Sequence, residues 1–180
     1  MGGMFVRSRA ALRAELERRE IRDAWIAWAR VAATPFVLLE VAVEHGNYPP
    51  GDEGFAWAIA GVFTVGALVL LRFREQRPAA LAFDWTVVSS FVALYSFEVG
   101  TPVIQLLFLP VVEAALRYRI RGGLLMPLAS APALAFFEWR QAVRLDLHPF
   151  DPGHILGPIG LQLLVGLVVG TLLRRAERTG

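Results

Sequence analysis

Long apolar runs alternate with short charged segments along almost the whole chain. Six runs stand out, over residues 24–43, 55–73, 78–98, 102–116, 122–137 and 155–173. A helix that crosses a bilayer needs roughly 20 mostly apolar residues, with a range of about 17–25. Inside hydrocarbon the backbone must satisfy its own polar groups, which leaves helices or a closed barrel. These runs are longer than barrel strands and do not alternate apolar with polar positions, so the pattern predicts helices. The expected fold is therefore all-α: a polytopic membrane protein with a bundle of about six transmembrane helices. The fifth run is the weakest, because it is short and contains Pro127 and Pro132. It suits either a thin-leaflet crossing or a re-entrant segment. A re-entrant segment would move the C-terminus to the other face.

Charge asymmetry bears on that choice. All 18 basic residues are arginine. Fifteen fall into four segments: Arg7, Arg9, Arg13, Arg18, Arg19 and Arg22; Arg72, Arg74 and Arg77; Arg117, Arg119 and Arg121; Arg174, Arg175 and Arg178. Six crossings with a cytoplasmic N-terminus place all four segments in the cytoplasm. Only Arg140 and Arg144 then lie outside, with Arg30 inside a span. This is the positive-inside asymmetry of an inner (plasma) membrane protein with both termini cytoplasmic. The outer segments are acidic instead, through Glu44, Asp52, Glu53, Asp146 and Asp151, with Glu40, Glu98 and Glu138 at span ends.

Residues 1–23 form a charged lead-in, 24–173 the six-span domain, and 174–180 the start of a cytoplasmic signalling helix or tail. In the lead-in, Arg9, Arg13 and Glu17, and Glu15 and Arg19, recur at helical spacing, and Leu12 and Leu16 add a thin apolar stripe. Such a segment is a solvated helix entering the first span, or a helix that lies on the membrane surface or pairs with another chain. The first run does not resemble a cleaved leader, because its charged lead-in is long and Arg30 and Glu40 interrupt it. Gly2 opens no myristoylation motif, since Val6 stands where Ser or Thr is needed. The basic rim fits anionic lipid headgroups, so the bilayer is the first partner. The arginines sit in short membrane-bounded segments, which argues against nucleic acid. The chain has no cysteine, which removes disulfides, thiolate metal sites and redox thiols.

Ionisable groups within the runs carry the candidate chemistry. Arg30, Asp84 and Glu113 fall at comparable depth on the cytoplasmic side, and Arg117 is one turn from Glu113. A charge in hydrocarbon costs at least a few kcal/mol unless it is paired or hydrated. Arg30, Asp84, Glu113 and Arg117 are expected to face inward as one ion-paired cluster. It either pins three helices together or serves as a switch whose pairing changes with helix position. A proton relay is a weaker third option, since arginine holds carboxylates ionised. A second set lies on the outer rim: Glu44, His45, Glu98, His148, Asp151 and His154. Imidazole and carboxylate together bind zinc or a similar ion, although the spacing matches no metal signature. A solvated rim and a pH response are the alternatives.

Gly153 and Gly157, and Gly166 and Gly170, form two Gly-x-x-x-Gly pairs, which allow close helix packing within the monomer or across a homodimer. Tyr95, Phe97, Phe136 and Phe137 suggest an outer aromatic pocket. Enzyme signatures are missing: no Gly-x-Ser-x-Gly, no phosphate loop, no His-Glu-x-x-His and no nucleotide-binding glycine pattern. The expectation is a non-enzyme without a cofactor.

Residues 98–142 carry a resemblance. Gly100-Thr101-Pro102 precedes an apolar helix that ends in Glu113-Ala-Ala-Leu-Arg-Tyr118, followed by Arg121-Gly122-Gly123. This arrangement resembles the N-terminal multi-span sensory region of bacterial membrane signalling proteins, of the actinobacterial histidine kinase and diguanylate cyclase type. The resemblance implies that the last helix continues into a cytoplasmic coiled coil and output domain, beginning at Leu172-Leu173-Arg174-Arg175-Ala176-Glu177-Arg178. Neither a phosphoacceptor-histidine box nor a Gly-Gly-Asp-Glu-Phe motif occurs in the sequence. The expected function is thus a signal-input module whose output domain or partner protein is separate from these 180 residues. A different class with the same layout is the small-solute-binding membrane subunit of a vitamin-type transporter.

Overall fold

Apolar runs flanked by turn formers become helices here, because a helix is the one local structure that pairs its backbone without a neighbour. A computed structural model describes the backbone of residues 2–72, 77–97 and 102–179, and the side chains of residues 20–21, 23–72, 78–97 and 103–176. Helix α1 runs Gly2–Val43, α2 Asp52–Arg72 and α3 Arg77–Leu94. A 3-10 turn, Tyr95–Phe97, extends α3, and a second, Pro102–Leu107, leads into α4, Phe108–Trp139. A π turn, Arg140–Arg144, closes α4, and α5 spans Gly153–Thr179. The described residues contain no strand. The side chains of the lead-in up to Arg19, the Gly100-Thr101 turn and Glu98 lie outside the described residues.

Five segments are long and apolar enough to cross a membrane: Asp23–Val43, Asp52–Arg72, Pro78–Phe97, Val103–Arg144 and Gly153–Ala176. The expectation of about six helices meets five such segments, the fourth of which is broken within its length. The fourth and fifth apolar runs fall within one 42-residue segment, which non-helical backbone at Arg119 divides into two helices. That segment is not straight. Arg119 has φ 58° and ψ −139°, a backbone state that a non-glycine residue rarely adopts. An unbroken helix of 42 residues would extend about 63 Å, twice the hydrocarbon thickness. Instead both of its ends meet the last turns of α3. Val103 and Leu106 line a cavity with Phe91 and Tyr95. Arg140 Nη1 donates to the Ala93 carbonyl oxygen at 3.3 Å. The chain therefore doubles back at Arg119. Gly122 permits this, since a Cβ there would overlap the Ala114 carbonyl oxygen.

Exposure is inverted relative to a protein surrounded by water. Trp25, Phe36, Phe55, Leu125 and Leu156 are exposed, while Arg30, Glu113, Glu138 and Gln162 are buried. Helix α3 and the Val103–Arg144 segment are the most enclosed, and α1, α2 and α5 are peripheral. The broadest interface joins α4 to α5, and α1 packs on α2, α2 on α3, and α3 on α4. The loop 44–51, the 3-10 turn Tyr95–Phe97 and the loop 145–152 gather at one end of the bundle, here termed the loop end. Arg140 pairs with Asp52 there, and the Tyr48 and Tyr95 hydroxyls share a hydrogen bond of 2.6 Å. Burial pushes the Tyr48 hydroxyl above its ordinary range, so it stays protonated.

Candidate functional site

The candidate site begins with a conflict: ionisable residues on helices whose outer faces are apolar. The chain resolves it by aiming them at one another. Helix α1 supplies Arg30, α3 supplies Asp84, and α4 supplies Glu113 with Arg117 one turn on. Arg30 Nε lies 2.8 and 2.7 Å from the two Asp84 oxygens, and its Nη2 lies 2.5 Å from Asp84 Oδ2. The same Nη2 reaches Glu113 Oε1 at 2.6 Å. Arg117 Nη2 approaches that oxygen from the other side at 2.7 Å. Glu113 Oε1 is thus shared between two guanidiniums. Arg117 Nη1 also lies 4.0 Å from Asp23 Oδ1 at the start of the first span. The planar fork of arginine makes such sharing between carboxylates on different helices workable, where a lysine ammonium offers only a point charge.

The four residues expected to cluster are brought together in one network across α1, α3 and α4. Asp23, placed by the sequence in the lead-in, joins it. The five groups comprise two guanidiniums and three carboxylates, all at most 13% exposed.

The outer-rim residues divide. His45 Nδ1 lies 2.5 Å from Glu53 Oε1, and Glu44 accepts from Asn47 Nδ2 at 2.9 Å. Neither bond reaches the other histidines, so the single rim expected from sequence is corrected to two separate sets. Both sets sit at the loop end, but the first belongs to the α1–α2 connection and the second to the α4–α5 connection. In the second set His148, Asp151 and His154 converge on Glu138, which is 1% exposed. One donor atom from each of Glu138, His148 and His154 lies within 4.8 Å of the others. Sequence reasoning counted Glu138 among the acidic span ends without singling it out. Its position at the last turn of an apolar helix, 16 residues before His154, was the available signal.

The glycine pairs divide as well. A methyl on Gly166 would overlap the Gly123 carbonyl oxygen, and one on Gly170 would lie 2.7 Å from Ile120 N. Gly157 has nothing within 4 Å, and Gly153 meets only Asp151, so the first pair makes no helix contact. The close packing is therefore between α5 and α4 of the same chain. The aromatic pocket expected around Tyr95, Phe97, Phe136 and Phe137 is also redrawn. A cavity of about 280 Å³ is lined by Phe36, Val37, Glu40, Phe91, Tyr95, Val103 and Leu106. Phe97 instead stacks on Tyr95, and Phe136 packs on Trp139.

Gln162, near the middle of α5, was not anticipated. It is fully buried, and among the described residues neither its amide oxygen nor its nitrogen has a hydrogen-bond partner. A buried amide without partners costs about 1–3 kcal/mol in measured proteins. Gln162→Leu should accordingly stabilise the folded protein by about 1 kcal/mol or more, read as a higher midpoint in denaturant-micelle unfolding. A loss of stability would mean that the amide has a bonding role in the fold.

No protein-family model, curated protein or solved structure matches this chain.

Proposed function

We propose that the chain is a membrane-embedded signal-input module. It crosses the bilayer six times with both ends cytoplasmic. A stimulus acts at the loop end, and α5 carries the response to a cytoplasmic output domain or partner protein. The observation that carries this reading is the shared Glu113 oxygen between Arg30 and Arg117. A carboxylate between two guanidiniums on different helices has two ways to pair, and bistable pairing is what a helix-displacement switch requires. Helix α5 lies directly on the α4 hairpin through Gly123 and Gly166, so a shift of the hairpin is passed to it.

Two observations support six crossings: both ends of Val103–Arg144 return to α3's last turns, and the sequence gathers its arginines in segments on one side of the spans. The absence of native cysteine makes a direct test simple. Single cysteines in place of Gly46 or Leu147 should react with an impermeant maleimide in intact cells. One in place of Arg121 should react only after permeabilisation. Labelling of position 121 from outside would overturn the topology.

The signalling role is tested by fusing the chain, through a continuous helix after α5, to a cytoplasmic kinase or cyclase reporter. Glu113→Gln should lock output at one extreme while the protein remains inserted. Unchanged output in inserted protein would overturn the switch. One observation favours a second reading, a small-solute-binding transporter subunit: the apolar cavity between α1, α3 and Pro102–Leu107. A small molecule retained there through purification would support it.

A further inference from the structure

The Glu138 carboxylate is buried, yet among the described residues its ion-pair partners are two imidazoles and no guanidinium. A buried carboxylate needs a compensating positive charge. Its two oxygens each face one ring: Oε1 lies 3.6 Å from His148 Nδ1, and Oε2 lies 3.1 Å from His154 Nδ1. Zinc bonds nitrogen and carboxylate oxygen at about 2.0–2.2 Å, which sets ligand-to-ligand edges of roughly 3.3–3.6 Å in a tetrahedral site. Each imidazole faces a different Glu138 oxygen, and one donor atom from each of the three residues lies within 4.8 Å of the others.

We infer that Glu138, His148 and His154 form a site for a divalent transition metal, with Zn²⁺ the best match, which ties the start of α5 to the end of α4.

The surroundings fit a ligand set. His148 Nε2 lies 3.1 Å from Gln141 Oε1, a partner that holds the ring with Nδ1 toward Glu138. Ligating imidazoles are oriented by their second nitrogen in this way. His148 Nδ1 also lies 2.9 Å from the Pro149 carbonyl oxygen, a contact that metal binding replaces with release of any proton on that nitrogen. The Glu138 carboxylate is itself fixed by the Asp151 backbone N–H at 2.7 Å. Asp151 Oδ1 accepts from Gly153 N at 2.7 Å, and Oδ2 lies 3.9 Å from His154 Nε2. The loop is thereby stitched to the first turn of α5. His154 is 56% exposed, which leaves one side open to water and a fourth position for a water ligand. Two imidazoles and one carboxylate, without sulfur, suit zinc and its neighbours rather than calcium or magnesium.

Binding is a property of this cluster and stands apart from the signalling reading; the idea that the metal is the stimulus rests on that reading. The test is therefore binding alone. The full chain, purified without a histidine tag and held in lipid nanodiscs, is titrated with Zn²⁺ by calorimetry, with Co²⁺ spectra as a second readout. One Zn²⁺ per chain is expected. Glu138→Gln, His148→Ala and His154→Ala should each weaken it at least about tenfold, as even outer-shell changes do at such sites. His45→Ala, at the separate histidine, should leave the affinity unchanged. Unaltered helical circular dichroism identifies variants that still fold, and the exposed His154 makes its variant the safest. No saturable binding by folded protein overturns the inference. So does binding that survives the three substitutions, or that falls equally with His45→Ala.

Discussion

Replacing Arg30 with methionine should destabilise the folded protein by about 3–5 kcal/mol, the usual consequence of removing one partner of a buried ion pair. Methionine keeps most of the apolar stem, so the loss is electrostatic rather than a cavity. Arg30 makes contacts to Asp84 and Glu113 that no other residue duplicates for Asp84. Without it, among the described residues Asp84 pairs with no other guanidinium, and Glu113 keeps one guanidinium, that of Arg117. In an apolar surround each carboxylate must then take up a proton or draw in water. The measurement is an unfolding equilibrium in mixed micelles. Charge-balanced removal gives the internal control: Arg30→Met with Asp84→Leu deletes both partners and should recover a large part of the loss. That recovery would separate the cost of an orphaned charge from the worth of the pair. A cost below about 1 kcal/mol for Arg30→Met alone would mean that the network behaves as a solvated surface pair.

The same residue is where stability and proposed function meet. A network that only pins helices would lose stability on substitution and leave output tracking the folded fraction. A switch would also change output per folded molecule. Glu113→Gln is the more informative change for that purpose, because it keeps the shape and a hydrogen-bonding oxygen between Arg30 and Arg117 while removing the charge. The two substitutions thus ask different questions of one cluster.

The charge cluster was legible in the sequence because depth is legible. Counting turns from the basic ends of the apolar runs places Arg30, Asp84 and Glu113 at one level, and hydrocarbon leaves charges at one level little choice but to pair. The break between the fourth and fifth runs was legible, but the tightness of the reversal was not. Nothing in Arg117-Tyr-Arg-Ile-Arg121 distinguishes a loop from a sharp reversal between two helices, because the stretch holds no turn former and alternates arginine with Tyr118 and Ile120. The decisive element is Arg119 in a left-handed conformation, held by packing against the α5 backbone rather than by local preference. Which outer-rim residues meet was not legible for a related reason. Histidine and acidic residues are plainly visible at the loop end. Which of them meet is set by how α4 and α5 pack, and Glu44 and His45 belong to a different loop.

Packing of α5 against α4 leads to the second large effect. Gly166→Ala should destabilise the protein by about 1–3 kcal/mol, although alanine is the smallest possible addition. The added methyl would overlap the Gly123 carbonyl oxygen and lie 2.8 Å from the Gly123 Cα. Both obstacles are backbone, so no side chain can rotate away and the helices must separate. Separation forfeits the close contact that drives helix association where water is absent. Gly123→Ala meets the Gly166 backbone in the same way and should cost a similar amount. The double substitution should cost less than the sum, because one separation accommodates both methyls. Gly160→Ala is the contrast. It lies in the same helix with nothing within 4 Å of the new methyl, and it should be neutral or stabilising by up to about 1 kcal/mol through helix propensity. Unfolding midpoints of the four variants in one micelle system decide the matter. If Gly166→Ala matched Gly160→Ala, the two backbones would not be in contact, and α5 would have no rigid route by which to follow the α4 hairpin.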